Sequence, residues 1–157
     1  MRNSSFLIIF IASMFPFVSG CGEQLPPGMP RPHPVTIQIV SEGNPVEGAS
    51  VMFFPEDQDS RWASGGTTDS AGNVQIRTLG RFNGAPAGVY WMSISKTDMV
   101  EVPGRNPENP NFAYYSLIDP KFNNMAEPAV TVEVKPGRNV FVQEVGPLVR
   151  IRQQHGN

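Results

Sequence analysis

Apolar and polar residues alternate with a period of two in several short segments after residue 34. A period of two is typical of strands that bury one face. Clear examples are Val35, Ile37 and Ile39, and the pattern recurs at 49–53, 74–78, 89–96, 130–134 and 139–145. In segment 89–96 it predicts that Tyr90, Met92 and Ile94 face inward, whereas Trp91 faces outward. A last strand is expected at 148–152.

Glycine and proline separate these segments and set the fold class. The 157 residues include 15 Gly and 16 Pro, which are spread along the chain after the N-terminus. Both residues destabilise helices, so a helical bundle and a coiled coil are excluded. The hydrophobic fraction of 39% is sufficient for a core. We predict an all-β fold, a single antiparallel β-sandwich of about seven strands joined mostly by tight turns. A closed barrel is the alternative.

The segment from Thr97 to Pro128 has no clear period and is rich in proline and asparagine. It is therefore predicted as one long irregular crossover, with room for a short helical turn at 120–125. Its apolar residues Phe112, Tyr114, Tyr115 and Leu117 are expected to pack it onto the sandwich.

The N-terminus has the features of a secretory signal peptide. Arg2 precedes an apolar run from Phe6 to Val18, and small residues follow it. Thirteen helical residues span about 20 Å, which is less than the roughly 30 Å of a bilayer core. A transmembrane helix and a buried core helix are the weaker alternatives, so residues 1–20 are predicted to be removed.

The residues Val18, Ser19, Gly20 and Cys21 resemble the lipobox of bacterial lipoproteins, where cleavage precedes a cysteine that carries diacylglycerol. Small residues at 19 and 20 fit a peptidase that grips extended backbone, although an ordinary signal peptidase would also accept them. Cys21 is the one cysteine of the chain, so no intramolecular disulfide can form. We therefore predict lipidation at Cys21 and recognition of Val18–Gly20 by the peptidase. Acyl chains would hold the protein on a membrane.

These features predict four regions. Residues 1–20 are the lipoprotein signal peptide, 21–34 the lipidated cysteine and a proline-rich linker, 35–152 the β-sandwich, and 153–157 a disordered tail. Five prolines in 22–34 favour an extended tether of roughly 40 Å, in which His33 is expected to be solvated. The mature chain is expected to contain no membrane-spanning segment. The expected location is the bacterial cell envelope, on the periplasmic face of the outer membrane or on the cell surface.

Several motifs in this order resemble carboxypeptidase-regulatory-like, or transthyretin-like, domains. Gly43–Pro55 resembles the family's G-x-P-V-x-G-A-x-V-x-F-x-P opening, Thr68–Val74 its T-D-x-x-G turn, and Pro86–Ile94 its P-x-G-x-Y strand. Ile118–Phe122 and Val132–Asn139 are similar to a version found in small planctomycete-type lipoproteins. The resemblance implies a prealbumin-like sandwich without catalysis.

The sequence offers little chemistry for an active site. Both histidines, His33 and His155, lie near the ends of the predicted domain, so a Ser-His-Asp triad is not expected. Glu56, Asp57, Asp59 and Asp69 could supply oxygen ligands for calcium but lack the spacing of a calcium loop, and no metal or cofactor is predicted. A balance of 12 basic and 14 acidic residues without a basic cluster excludes a nucleic-acid partner.

Four aromatic side chains are the candidate ligand contacts: Trp62, Trp91, Tyr114 and Tyr115. Aromatic rings can stack on sugar rings or on the side chains of a partner. We therefore expect a non-catalytic, lipid-anchored envelope module with a structural or protein-interaction role. A carbohydrate- or peptide-binding lipoprotein that uses these aromatics is the alternative, and the partner is then an envelope protein or a glycan.

Overall fold

The structure, a computed structural model, describes residues 24–57, 62–102 and 111–153. These residues form strands and one short 3₁₀ helix. The first eight strands are β1 (Pro32–His33), β2 (Val35–Ser41), β3 (Asn44–Pro45), β4 (Ser50–Pro55), β5 (Ser64–Thr67), β6 (Asn73–Gln75), β7 (Arg77–Thr78) and β8 (Phe82–Asn83). The others are β9 (Ala85–Pro86), β10 (Gly88–Ser95), β11 (Thr97–Val102), β12 (Asn111–Ser116), β13 (Thr131–Val134), β14 (Asn139–Glu144) and β15 (Ile151–Arg152), with the 3₁₀ helix at Pro120–Asn123.

The first large sheet has the order β13-β10-β4-β5-β7-β8. Its centre is the antiparallel pair β4 and β10, in which Met92 lies opposite Phe53 and Ile94 opposite Val51. Tyr90, Met92 and Ile94 are buried, as the alternation predicts. Because side chains alternate between faces, Trp91 lies on the outer side of this sheet.

The second sheet has the order β14-β2-β3, and β6 pairs with the other part of β2. β2 and β14 run parallel, with Phe141 opposite Ile37, which differs from the wholly antiparallel arrangement predicted from the sequence. In the sequence, the strands of the first sheet lie between β2 and β14. The chain then returns to the second sheet, where β14 lies beside β2 and runs in the same direction. A parallel pair requires such a long connection, and the alternation within each strand carries no information about it.

Side chains from both sheets form one hydrophobic cluster. Val35, Ile37 and Ile39 of β2 contribute to it together with residues of β4 and β10. The rings of Phe53 and Tyr90 lie 5.2 Å apart between centroids, a separation at which aromatic pairs attract each other. The structure is therefore all-β, with sheets that are antiparallel except for the β2–β14 pair and that share a core.

The segment 97–128 is more regular than its sequence predicts. β11 and β12 form an antiparallel pair, and β15 joins β12 at the other side. The expected helical turn is present as the 3₁₀ helix at Pro120–Asn123, and its Phe122 packs into the core with Ile118. The sequence did not predict this hairpin. The side chains of β11 alternate only between exposed and half-buried positions, so polar and apolar residues do not occupy separate faces of the strand.

The linker predicted at 21–34 is partly docked on the domain. Pro26 to Met29 form a turn, closed by the Met29 N–H donating to the Pro26 carbonyl at 3.0 Å. Gly28 has φ +80°, the left-handed conformation that the third position of a type II turn requires. Met29 is buried, and Pro32–His33 pair with Ala85–Pro86. The expectation of a freely extended tether is therefore wrong for this part of the chain.

His33 is half-buried, although it was expected to be solvated. Its Nδ1 accepts a hydrogen bond from the Gly137 N–H at 3.1 Å. This bond joins the N-terminal segment to the turn between β13 and β14. At the other end of the domain, the expected last strand is shortened to Ile151–Arg152. No helix within 24–57, 62–102 and 111–153 has the length and apolar character needed to cross a membrane.

The turn at 69–73 follows the local chemistry of its sequence. One carboxylate oxygen of Asp69 accepts hydrogen bonds from the N–H groups of Ala71 and Asn73, both at 2.9 Å. Aspartate often stabilises a turn in this way. Gly72 has φ +73°, and a Cβ there would stand 2.6 Å from the Ile39 carbonyl oxygen. Only glycine fits this close approach between the turn and β2.

Candidate functional site

The predicted lipidation residue Cys21 and the recognition residues Val18, Ser19 and Gly20 lie outside the described residues. The same holds for the signal peptide as a whole and for residues 154–157 of the predicted tail. Their roles stay predictions from the sequence.

Trp91 lies on the outer side of the first sheet, at its centre. In the strand register it stands opposite Phe54 of β4 and opposite Thr131 of β13. Trp91 is half-buried, so part of its ring is open to solvent. The outward position predicted from the alternation is confirmed, because its neighbours Tyr90 and Met92 are both buried.

Three further apolar side chains surround Trp91 on this side of the sheet. Met52 and Phe54 on β4 and Val89 on β10 share its strand parity and are 37%, 39% and 37% exposed. We call these four residues, Met52, Phe54, Val89 and Trp91, the apolar platform. Contiguous exposed apolar residues of this kind mark interaction sites in soluble proteins.

Glycine in the neighbouring strand helps to form the platform. Gly65 of β5 lies opposite Met52, and a Cβ at Gly65 would stand 2.6 Å from the Met52 sulfur. The Met52 side chain can therefore lie flat over β5. On β10, the Ser93 hydroxyl donates a hydrogen bond to the Asn123 side-chain oxygen. The 3₁₀ helix, which contains Asn123, therefore borders the sheet next to Ser93.

Sequence reasoning missed Met52, Phe54 and Val89, although a signal was present. Within the alternation of β4 and β10 these apolar residues occupy positions that normally carry polar side chains. Apolar residues at the outward positions of two strands that pair with each other indicate an exposed patch. The missing information was the pairing of β4 with β10 in this register.

Tyr114 and Tyr115 are not part of the platform. They lie on β12, in the three-stranded sheet with β11 and β15. Consecutive strand residues face opposite sides of a sheet, so the two rings cannot stack on one flat ligand. The Arg150 guanidinium lies 4.5 Å from the Tyr115 ring centroid and forms a salt bridge of 3.2 Å with Asp98. Tyr115 is therefore engaged within this sheet.

Trp62 lies two residues before β5 and is half-buried. Its carbonyl oxygen accepts a hydrogen bond from the Ser64 hydroxyl at 3.3 Å. Of the four predicted contact residues, the structure therefore places only Trp91 on the apolar platform and assigns both tyrosines to another sheet.

An open cleft of about 510 Å³ adjoins the platform at Val89. One wall is formed by 55–57 and another by 86–90, and Pro30 of the docked N-terminal segment completes it. The Glu56 N–H donates to the Val89 carbonyl at 3.0 Å and ties the two walls together. Glu56 and Asp57 are the charged residues among its lining, so the cleft favours neutral or cationic groups over anions.

The wall at 86–90 is fixed by a buried hydroxyl. The Tyr90 hydroxyl donates to the Pro86 carbonyl at 2.8 Å, so the buried hydroxyl has the partner that a buried tyrosine needs. Burial raises the pKa of Tyr90 to about 12, so this group stays protonated and neutral at physiological pH. Its role in the cleft is structural, since its proton is held by the backbone.

The side chains of the platform and cleft suit stacking, hydrogen bonding and contact with a cation. The ring of Trp91 and the side chain of Phe54 can stack on a sugar ring or an apolar side chain. The two carboxylates can accept hydrogen bonds or pair with a cation. Within the described residues there is no group of three or more His, Cys, Asp or Glu side chains suited to a metal ion.

The comparisons with known proteins add no functional assignment. No family model matches the chain, and no curated protein matches it in sequence. A solved structure of a 9R-lipoxygenase from Cyanothece aligns over 73% of this chain and 16% of its own, at 13% identity and a TM-score of 0.37. This chain therefore spans only a small part of that protein, and so weak a likeness supports no conclusion about fold or activity.

Proposed function

We propose that this protein is a non-catalytic, lipid-anchored module of the bacterial cell envelope that binds a partner protein through the apolar platform. The observation that carries the proposal is the outward-facing cluster of Met52, Phe54, Val89 and Trp91 on paired strands. Apolar side chains exposed at the centre of a sheet cost solubility, and natural proteins expose such patches where another surface covers them.

The proposed domain is a single β-sandwich of about seven main strands. The order β13-β10-β4-β5 on one side and β14-β2-β6 on the other supports this assignment, as does the shared hydrophobic cluster. Most of the motifs that resemble carboxypeptidase-regulatory-like domains fall on these strands and on the turns between them, whereas Ile118–Phe122 falls at the 3₁₀ helix. The resemblance implies a domain without catalysis, which agrees with the non-catalytic role proposed for this chain.

The proposed membrane attachment rests on Cys21 and the small residues before it. A Cys21→Ala variant should move from the membrane fraction to the soluble fraction and lose labelling by radioactive palmitate. Ser19→Ala is the matched control, since it keeps a small residue before the cleavage site and should stay membrane-bound. A native chain that takes up no palmitate, or a Cys21→Ala variant that is labelled as strongly as the native chain, would rule out lipid anchoring at Cys21.

The platform is tested by intrinsic fluorescence and capture. In a Trp62→Phe background, Trp91 is the sole tryptophan of this chain, so a change in emission that remains after subtracting the emission of the added proteins alone reports on the platform. Detergent-solubilised envelope proteins, separated by fractionation, should include a fraction that shifts this emission. The Trp91→Thr variant should capture less of the same component, whereas the control variant Leu148→Thr, which replaces an exposed apolar residue away from both β4 and β10, should capture as much as the native chain. Equal retention by both variants would exclude the platform as the binding surface.

A carbohydrate ligand is the second candidate, and the cleft is the observation that favours it. Val89 links the platform to the Glu56 and Asp57 carboxylates, and an array of rings and acceptors suits a neutral sugar. Titration of the Trp62→Phe variant with purified envelope glycans distinguishes the two proposals. A saturable shift with glycan that is lost in Glu56→Gln favours the sugar, whereas no shift with any glycan eliminates it.

A further inference from the structure

Strand β14 has one unpaired edge. It pairs with β2, and no strand of 24–57, 62–102 or 111–153 pairs with its other side. The Asn139 N–H donates to the Pro34 carbonyl and the Val145 N–H to the Val40 carbonyl, both at 2.9 Å. In a parallel pair, alternate residues direct their backbone groups to the same neighbour. Val140, Val142 and Glu144 therefore direct their N–H and C=O groups to the open edge.

This edge lacks the features that usually prevent strands from associating. Proteins protect exposed edges with proline, charged side chains or a bulge, and the central residues 139–143 of this edge contain none of these. Val140 and Val142 are instead 62% and 66% exposed. The exposed edge is therefore both apolar and rich in unpaired backbone groups.

The sequence of this edge is complementary to itself about Phe141. It runs Arg138-Asn139-Val140-Phe141-Val142-Gln143-Glu144. On either side of Phe141 stand first two valines, then two carboxamides, then an arginine and a glutamate. If two copies pair antiparallel about a two-fold axis at Phe141, each valine meets a valine and each Arg138 meets a Glu144. Cross-strand pairs of these kinds stabilise sheets.

The two charged ends are available for such a contact. Arg138 is exposed and forms no salt bridge within the described part of the chain. The Glu144 carboxylate accepts hydrogen bonds from the N–H groups of Glu42, Gly43 and Gly146, which hold it at the end of β14 near the turn between β2 and β3. A carboxylate has about four acceptor positions, so it retains capacity for a guanidinium.

We propose that two copies of this chain associate through antiparallel β14–β14 pairing centred on Phe141. The second sheet then continues from one copy into the other. Closed two-fold pairing uses the same edge on both copies, so it ends at a dimer. The half-buried Phe141 of each copy gains a partner ring at the axis, next to an open space of about 440 Å³ between β13 and β14.

Charge exchange tests both the dimer and its register. Arg138→Glu places glutamate opposite Glu144, and Glu144→Lys places lysine opposite Arg138, so each variant alone has two repulsive pairs. In an equimolar mixture, a heterodimer has only attractive pairs. The mass of the full chain, purified in density-matched non-ionic detergent, is measured by sedimentation equilibrium. We expect each single variant to raise the dissociation constant about tenfold or more, and the mixture to restore it.

Arg77→Glu is the matched control, since it makes the same charge change on the exposed face of β7 and should dimerise as the native chain does. A native chain that is monomeric at every concentration tested overturns the proposal. So does a dimer that persists in both single variants, because it must form through another surface. These results do not depend on whether the platform binds a partner.

Discussion

Gly84 lies directly against the backbone of His33, so close that a Cβ at position 84 would overlap the His33 carbonyl oxygen. Gly84 also has φ +97°, a conformation that other residues adopt only with strain. The docked N-terminal segment therefore depends on a glycine that stands 51 positions later, in the short connection between β8 and β9.

Replacing this glycine should release the N-terminal segment. We expect Gly84→Ala to lower the free energy of unfolding by about 3 kcal/mol, from overlap with His33 and from left-handed strain. Backbone amides around His33 should also exchange hydrogen faster. Gly80→Ala is the control, because Gly80 has φ +72° but no heavy atom near the Cβ position. Equal losses in both variants, with unchanged exchange at His33, would contradict the close contact.

Thr68 is expected to be a strong internal determinant of stability. Its buried hydroxyl donates to the Val46 carbonyl at 2.6 Å and accepts from the Ala49 N–H at 2.8 Å. Thr68→Val keeps the shape but leaves two buried backbone groups unpaired, which should cost about 3 kcal/mol in urea unfolding. The exposed neighbour offers a control, since Thr67→Val should change stability by less than about 0.5 kcal/mol. A similarly small effect at Thr68 would refute this role.

Tyr90 should make the protein sensitive to alkaline pH. Burial raises its pKa to about 12, above the value near 10 expected in the unfolded chain. Between these values the unfolded state has lost the proton and the folded state retains it, so stability falls as pH rises above about 10. Tyr90→Phe should cost about 1 kcal/mol at pH 7, from the lost bond to Pro86.

The same variant provides the pH measurement. Urea unfolding from pH 8 to 11.5 should show a steeper decline for the native chain than for Tyr90→Phe, so that the two stabilities converge at high pH. Parallel curves over this range would show that Tyr90 is not the group responsible.

Glu144 should contribute to stability in the opposite pH range. Hydrogen bonds from the backbone N–H groups, chiefly that of Glu42, hold the pKa of this carboxyl below its ordinary value of 4.5. The folded state therefore keeps the carboxylate at pH values where the unfolded chain has taken up a proton. The stability that Glu144 contributes is present above this range and is lost as pH falls through the folded pKa.

The acid dependence is measured by comparing Glu144→Gln with the native chain. Urea midpoints taken from pH 6 to pH 2.5 should fall less for the glutamine variant. Glu133→Gln on β13 is the control, because it removes a carboxylate that forms an exposed salt bridge with the Lys135 side chain. If Glu133→Gln flattens the profile as much as Glu144→Gln, the turn contacts of Glu144 are not the cause.

The strands that bury one face could be predicted from sequence, whereas their partners could not. Val35, Ile37 and Ile39 are all buried, as predicted. The prediction holds because residues two positions apart on a strand lie on the same face. The parallel neighbour of that strand, β14, comes from about a hundred residues away and leaves no mark on its alternation. The hairpin of β11 and β12 was missed because Met99 is 56% exposed, so an apolar residue occupies an outward position.

The candidate site shows the same division. The outward position of Trp91 follows from the residues beside it, but its neighbour Phe54 follows only from the β4–β10 register. The Tyr114-Tyr115 pair looked like one aromatic surface in the sequence. On a strand, the side chains of adjacent residues lie on opposite faces, so the two rings are separated. The lipidation residues lie outside the described structure, and their role depends on sequence alone.

Because Met29 and His33 pack on the domain, the linker that separates the domain from the proposed membrane attachment is shorter than its sequence indicates. On the proposed attachment at Cys21, the part of the linker that can extend ends where the turn of Pro26 to Met29 begins, five residues on, rather than at Pro34. At about 3.1 Å per residue this part reaches roughly 16 Å instead of 40 Å. The accessible volume scales with the cube of this length and falls to roughly a sixteenth. A partner fixed in the same membrane therefore meets a local concentration roughly sixteen times higher, while partners farther from the bilayer are out of reach.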